Sequence, residues 1–226
     1  MRKLFILAIL IFALAPAAAV RAQASHEYAP LEEKTVNYKD WTYKRLADGK
    51  SINLRSYAQG KKLVMVVYFA PWCGNWKNEM PVAAKLYEKY KDQGFDVVGV
   101  SEYGTLDEVK ACVGENGAPY TVVTESEAKD AREKTTHYGY RQTAGDTRRW
   151  GSPWNIFLIP SKLQKKGDVL AEKAFVVNGE LMEADAEKFI RAQLGLPALP
   201  ATPAANASIS VGTPCEPLKA GELKKP

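Results

Sequence analysis

Between Val64 and Pro81 an apolar run stops at Ala70-Pro71, and a segment with helical spacing begins at Cys73. The run is continuously apolar, which predicts a strand buried on both faces. Met80, Ala83, Ala84, Tyr87 and Tyr90 recur near helical spacing, which predicts a helix packed back on that strand. Cys73 then lies at the helix N-terminus, where unpaired N–H groups and the helix dipole favour a thiolate over a thiol. The chemistry of such a residue is nucleophilic attack by sulfur. Trp72 and Gly74 flank it, Trp76 follows three residues on, and Glu79 is the acid of the same stretch.

The segment Phe69-Ala-Pro-Trp-Cys-Gly-Asn-Trp76, with Glu79-Met80-Pro81 after it, resembles the thioredoxin superfamily, especially the secreted TlpA-like thiol-disulfide oxidoreductases and redoxins. The resemblance has one informative break: Trp76 stands where the family has its second cysteine. It implies an α/β thioredoxin-like fold with a central mixed sheet flanked by helices, an N-terminal β-hairpin, and a long insertion before the cis-proline strand. It also implies that Cys73 is catalytic, with Trp72, Gly74, Trp76 and Glu79 as its neighbours. Ser152-Pro153 falls where the family carries its cis-proline, and the residue before that proline pairs with substrate backbone. Val67 sits where thioredoxins proper keep a buried Asp that assists proton transfer, so that role is vacant. Glu79 is the acid nearest to it in the motif and could partly substitute, although its place on the helix reads as exposed.

The elements that must position these residues follow in order. Trp41 to Leu54 predicts a hairpin around Asp48-Gly49, a pair suited to a tight turn. Strand 63–70 leads to helix 73–91, which Pro81 should kink, and Phe95–Val100 and Tyr120–Val123 read as further strands. Thr105 to Glu108 and Thr124 to Glu127 each read as a capping box opening a helix. Strands then alternate with helices over short links, which implies a largely parallel centre. Ile156–Ile159 and Lys173–Val177 read as an antiparallel pair, and 183–194 as a closing helix. Thr135 to Trp150, rich in Tyr138, Tyr140, Arg141, Arg148, Arg149 and Trp150, reads as an inserted surface loop.

Residues 1–24 have a basic start, an apolar stretch and Ala22-Gln-Ala24, the layout of a secretory signal peptide cut after Ala24. This predicts a periplasmic or secreted protein with no membrane span once the signal is removed. Residues 25–34 read as a loose arm, 35–196 as the thioredoxin-like domain, and 197–226, rich in Pro and Ala, as a disordered tail. Of 31 basic residues Arg2, Lys3 and Arg21 leave with the signal, so 28 face 26 acidic ones and nothing calls for a nucleic-acid partner. The three cysteines Cys73, Cys112 and Cys215 cannot all pair within one chain. Cys112 reads as core, and Cys215 as a possible resolving thiol for Cys73. His26 and His137 stand apart from any ligand cluster, so neither a metal nor another cofactor is expected.

Three functions fit. The first is an exported monothiol oxidoreductase acting on protein or small-molecule thiols and disulfides. The second is a redox-inactive peptide- or protein-binding module on the same scaffold. The third is an antioxidant peroxidase of the peroxiredoxin type, against which Asn75 and Asn78 stand where that motif wants Thr or Ser and then Cys.

Overall fold

Every residue of the strand Leu63–Phe69 is buried, because its side chains enter two different cores in alternation. Leu63, Met65, Val67 and Phe69 join one hydrophobic cluster, and Val64, Val66 and Tyr68 join the other. The structure is a computed structural model that describes residues 26–114 and 117–199. The predicted signal peptide, most of the predicted tail and Cys215 lie outside the described residues.

In chain order the elements are β1 Tyr28–Ala29, β2 Leu31–Lys39, β3 Thr42–Arg45, β4 Ser51–Asn53, α1 Leu54–Tyr57, β5 Leu63–Phe69, α2 Gly74–Tyr90 and β6 Phe95–Glu102. They continue as α3 Leu106–Val113, β7 Thr121–Ser126, α4 Thr136–Ala144, β8 Trp154–Leu158, β9 Val169–Val177, β10 Glu180–Leu181 and α5 Glu183–Leu194. Eight strands form one mixed sheet in the order β2-β9-β8-β5-β6-β7-β3-β4, while β1 and β10 pair separately. The centre β5-β6-β7 is parallel, and β8 runs antiparallel to β5. Helices α2, α3 and α5 cover one face, and α1 and α4 the other. This is the expected thioredoxin-like arrangement, with the β3-β4 hairpin ahead of the first central strand. Its loop, residues 46–50, is longer than a two-residue turn, with Gly49 at a φ of 69°.

Four expectations need correction. The supposed arm is not loose: β2 pairs along its length with β9, from Leu31↔Val177 to Lys39↔Val169, and β1 joins β10. The alternating burial of its last residues, with Val36 and Tyr38 inward, is the signal that its many charges masked. The second capping box opens no helix. Thr121–Ser126 is instead held as a strand between β6 and β3, and Glu127 accepts a hydrogen bond from the Leu106 N–H, capping α3 alongside Thr105. The inserted surface loop is largely the helix α4, capped by Thr135, with His137, Tyr140, Arg141 and Ala144 buried. Glu79, read as exposed, is buried.

Candidate functional site

The antiparallel pairing of β8 with β5 brings the site together. Tyr68 lies opposite Trp154, so the C-terminal end of β5 meets the N-terminal end of β8. The residues just after the one and just before the other therefore become neighbours: Cys73 follows β5, and Ser152-Pro153 precedes β8. The Ser152–Pro153 peptide bond is cis, as the resemblance implied. Cys73 is the N-cap residue of α2, half-buried, and its thiol donates to the Ser152 carbonyl at 3.1 Å. The Ser152 hydroxyl accepts from the Ala70 N–H at 2.9 Å, which fixes the loop against the strand end.

Trp72 is placed from the other side. Its indole N–H donates to the Tyr103 carbonyl at 2.8 Å. Tyr103 directly follows β6 with a φ of 58°, a left-handed conformation that a bulky residue seldom adopts. Its hydroxyl is within hydrogen-bond distance of Thr135 at 3.1 Å and His137 Nδ1 at 3.0 Å. His137 is stacked flat on Tyr68 at 4.9 Å. Burial, with the Arg141 charge adding to it, holds its imidazole well below the usual range, so the ring is neutral. Residues of α4 thus support the side chain beside the nucleophile.

Trp76 is fully buried and stacks on Phe69 at 4.3 Å. The ring fills core volume, so position 76 presents no sulfur to Cys73. Gly74 is exposed in the first turn of α2.

Glu79 is the unexpected member. Its Oε2 accepts from the Leu181 N–H at 2.7 Å and from Asn155 Nδ2 at 3.1 Å. Asn155 is the cross-strand partner of Val67, the position vacant of the thioredoxin acid. Burial pushes Glu79 up to about 8, against the lowering effect of its two hydrogen bonds. It holds its proton at neutral pH. The spacing Trp76, Glu79, Met80, Ala83 places it on the buried stripe of α2, a signal available in the sequence. A second buried acid, Glu102, is pushed well above the usual carboxylate range by burial and by the neighbouring Glu125 carboxyl.

The loop before β8 is braced by charges that residue types alone do not reveal. Arg148 donates to the Pro153 carbonyl at 2.9 Å and to Asp146 at 2.7 Å, and Arg141, wholly buried, donates to Asp146 at 3.0 Å. Gly151, with a φ of 56°, leaves the room that Arg141 occupies; a Cβ there would meet Arg141 Nε at 1.6 Å. Cys112 is core, as expected. Among the described residues no group of three or more His, Cys, Asp or Glu side chains could hold a metal ion, and no helix is long and apolar enough to cross a membrane.

Comparisons with known proteins agree with this geometry. The AhpC/TSA family profile matches residues 36–156. A thiol:disulfide interchange protein of the thioredoxin family from Chlorobium tepidum superposes with a TM-score of 0.50 at 23% identity, over 70% of this chain and 95% of that one, a likeness of fold. The chloroplastic phospholipid hydroperoxide glutathione peroxidase 1 of Arabidopsis thaliana is 28% identical over 171 residues, 71% of this chain and 68% of that protein. The thiol-disulfide oxidoreductase ResA of Oceanobacillus iheyensis is 46% identical over 44 residues, which span 20% of this chain and 23% of ResA.

Proposed function

The chain belongs to the AhpC/TSA family, and on that premise we propose that it is an exported thiol-disulfide oxidoreductase of thioredoxin fold with Cys73 as its single active-site nucleophile. The observation that carries this reading is the contact of the Cys73 thiol with the carbonyl of Ser152, beside cis-Pro153. An extended substrate lying along Ser152-Pro153 would bring its own sulfur to that thiol. The Cys73 thiolate attacks one sulfur of the substrate disulfide, a new S–S bond forms, and the other sulfur leaves as a thiolate that takes up a proton. Trp76 supplies no internal resolving thiol. The mixed disulfide therefore waits for an outside thiolate, which attacks the substrate sulfur and frees Cys73. Cys215 is the candidate for resolution within the chain. Glu79, tied to Asn155 opposite Val67, takes the place of the missing buried acid. Export rests on the layout of residues 1–24.

The test is to expose the protein to a peptide disulfide and identify what is attached. Wild type should accumulate one peptide on Cys73 and turn over poorly until glutathione is added, and Cys73→Ser should carry none. Peptide mapping without reductant would reveal a Cys73–Cys215 link if the tail resolves the adduct. Absence of any adduct on folded wild type would favour the binding-module reading, in which the Pro153 groove holds peptide without chemistry.

One observation favours a second reading, peroxide reduction: the relative named as a phospholipid hydroperoxide glutathione peroxidase aligns over 171 residues. Here the thiolate attacks a peroxide oxygen, the O–O bond breaks, and Cys73 becomes a sulfenic acid as an alcohol leaves. A thiol then condenses with it, releasing water and forming the same mixed disulfide. Trapping Cys73 sulfenic acid with dimedone after a lipid hydroperoxide, but not from untreated protein, would establish that route.

A further inference from the structure

Two indoles meet beside the nucleophile. Trp72, the residue before Cys73, packs edge-on against Trp150 with ring centroids 5.1 Å apart. Trp150 lies three residues before Pro153, so the pair adjoins the loop that bounds the groove. Three cations sit on these rings: Lys129 over Trp72 at 5.7 Å, and Arg132 and Arg149 over Trp150 at 5.3 and 5.4 Å. A backbone contact ties the two arginines together, since Arg132 Nη1 donates to the Arg149 carbonyl at 2.9 Å.

Two guanidinium groups gathered on one ring repel each other, and the ring's negative face offsets only part of that. The surrounding acids do not complete the balance. Lys129 meets Glu108 at 3.4 Å and Arg132 meets Glu133 at 2.7 Å, both exposed pairs of the kind that contribute little. Asp130 and Lys134, both exposed in the same segment, offset each other in charge, and the exposed Glu127 is engaged with the Leu106 N–H at 3.2 Å. Arg149 is exposed and has no ion-pair partner among the described residues. A planar guanidinium fork matches a carboxylate, and indole faces accept the apolar stems of a peptide.

We propose that this pair of indoles with its three cations is a specificity site for an acidic peptide segment: the partner is a protein whose reacting cysteine is flanked by Glu or Asp. This rests on the oxidoreductase reading and names its substrate class. A peptide crossing Ser152-Pro153 runs onto the platform, its carboxylates meet Arg149 and Arg132, and its sulfur is delivered to Cys73. The transfer is disulfide exchange: the Cys73 thiolate bonds to the peptide sulfur, and the displaced sulfur departs with the electron pair of the broken S–S bond and takes up a proton.

The experiment uses matched peptides with one cysteine, activated as the 2-pyridyl disulfide and flanked by either Glu or Gln, and follows release of pyridine-2-thione. At low salt the Glu peptide should react about tenfold faster, the scale of electrostatic steering, and salt should shrink that ratio towards one. Arg149→Gln should lower the ratio several-fold, and adding Arg132→Gln should bring it close to one. Equal rates for the two peptides in wild type, or a ratio indifferent to both substitutions, would overturn the proposal. So would a small carboxylated disulfide gaining as much over its amide as the peptide gains, since the occupant would then be a small anionic thiol. If neither peptide releases thione while iodoacetamide still labels Cys73, the oxidoreductase reading fails on its own. The platform is then decided by binding of the S-methylated peptides to Cys73→Ser: tighter binding of the Glu form supports it, and equal binding overturns it.

Discussion

Asn155 holds Glu79 by a 3.1 Å hydrogen bond, and so ties the buried acid of α2 to the strand position opposite Val67. A carboxyl kept there, with its value raised from 4.5 to about 8 by burial, links folding to pH. The folded state keeps this proton where the unfolded state has lost it. Stability is therefore full below about pH 4.5 and falls as pH rises to about 8, by an amount on the order of 5 kcal/mol for this one group. Glu79→Gln should remove most of that slope and be more stable than wild type at alkaline pH. Urea midpoints at acid and alkaline pH measure it; a slope unaltered by the substitution would contradict the assignment.

Glu102 contributes with the same sign, since burial and Glu125 raise it. Glu102→Gln cannot ionise, so it should stabilise the fold above neutral pH by roughly 1–2 kcal/mol. Glu102→Ala should destabilise at every pH, because it leaves a cavity in the buried end of β6. Thermal melts of the two variants side by side make the comparison.

Two glycines should respond in opposite ways to alanine. Gly151→Ala drives a methyl into Arg141 at a φ of 56° and should cost roughly 3 kcal/mol or more. Gly139 lies exposed within α4 with nothing within 4 Å of a Cβ built on it, so Gly139→Ala should stabilise by about 0.5–1 kcal/mol. Chemical denaturation of both reports whether the loop before β8 is braced as described.

Trp76→Cys removes a fully buried ring stacked on Phe69 and should cost roughly 3–5 kcal/mol. If the variant folds, it should regain multiple turnovers in insulin reduction with dithiothreitol, because a second thiol beside the first replaces a slow bimolecular step. A folded variant no better than Cys73→Ser would mean that more than the second cysteine is missing from the site.

Much of this could be read in the residues themselves. The continuous run Leu63–Phe69 announced a strand buried on both faces, and the junction at Cys73 announced the nucleophile's place. Glu79 was legible too, three residues from Trp76 and next to Met80, but the habit of placing glutamates in water hid it. Other features depend on distant partners. The edge strand β2 carries Glu32, Glu33, Lys34 and Lys39, and only its pairing with β9 makes it a strand. Thr124 to Glu127 satisfies the capping rule, yet strand pairing on both sides overrides it. Arg141 and Arg148 look like surface charges until Asp146 is found between them.

The pairing of β2 with β9 also has a consequence in time. Residues 31–39 leave the ribosome early, and their partners at 169–177 leave it near the end. Contacts of such wide sequence separation form late and slowly. Through most of synthesis the first edge of the sheet has nothing to pair with. A chain released before residue 169 would carry an orphaned strand, its N–H and C=O groups open to pairing with another molecule.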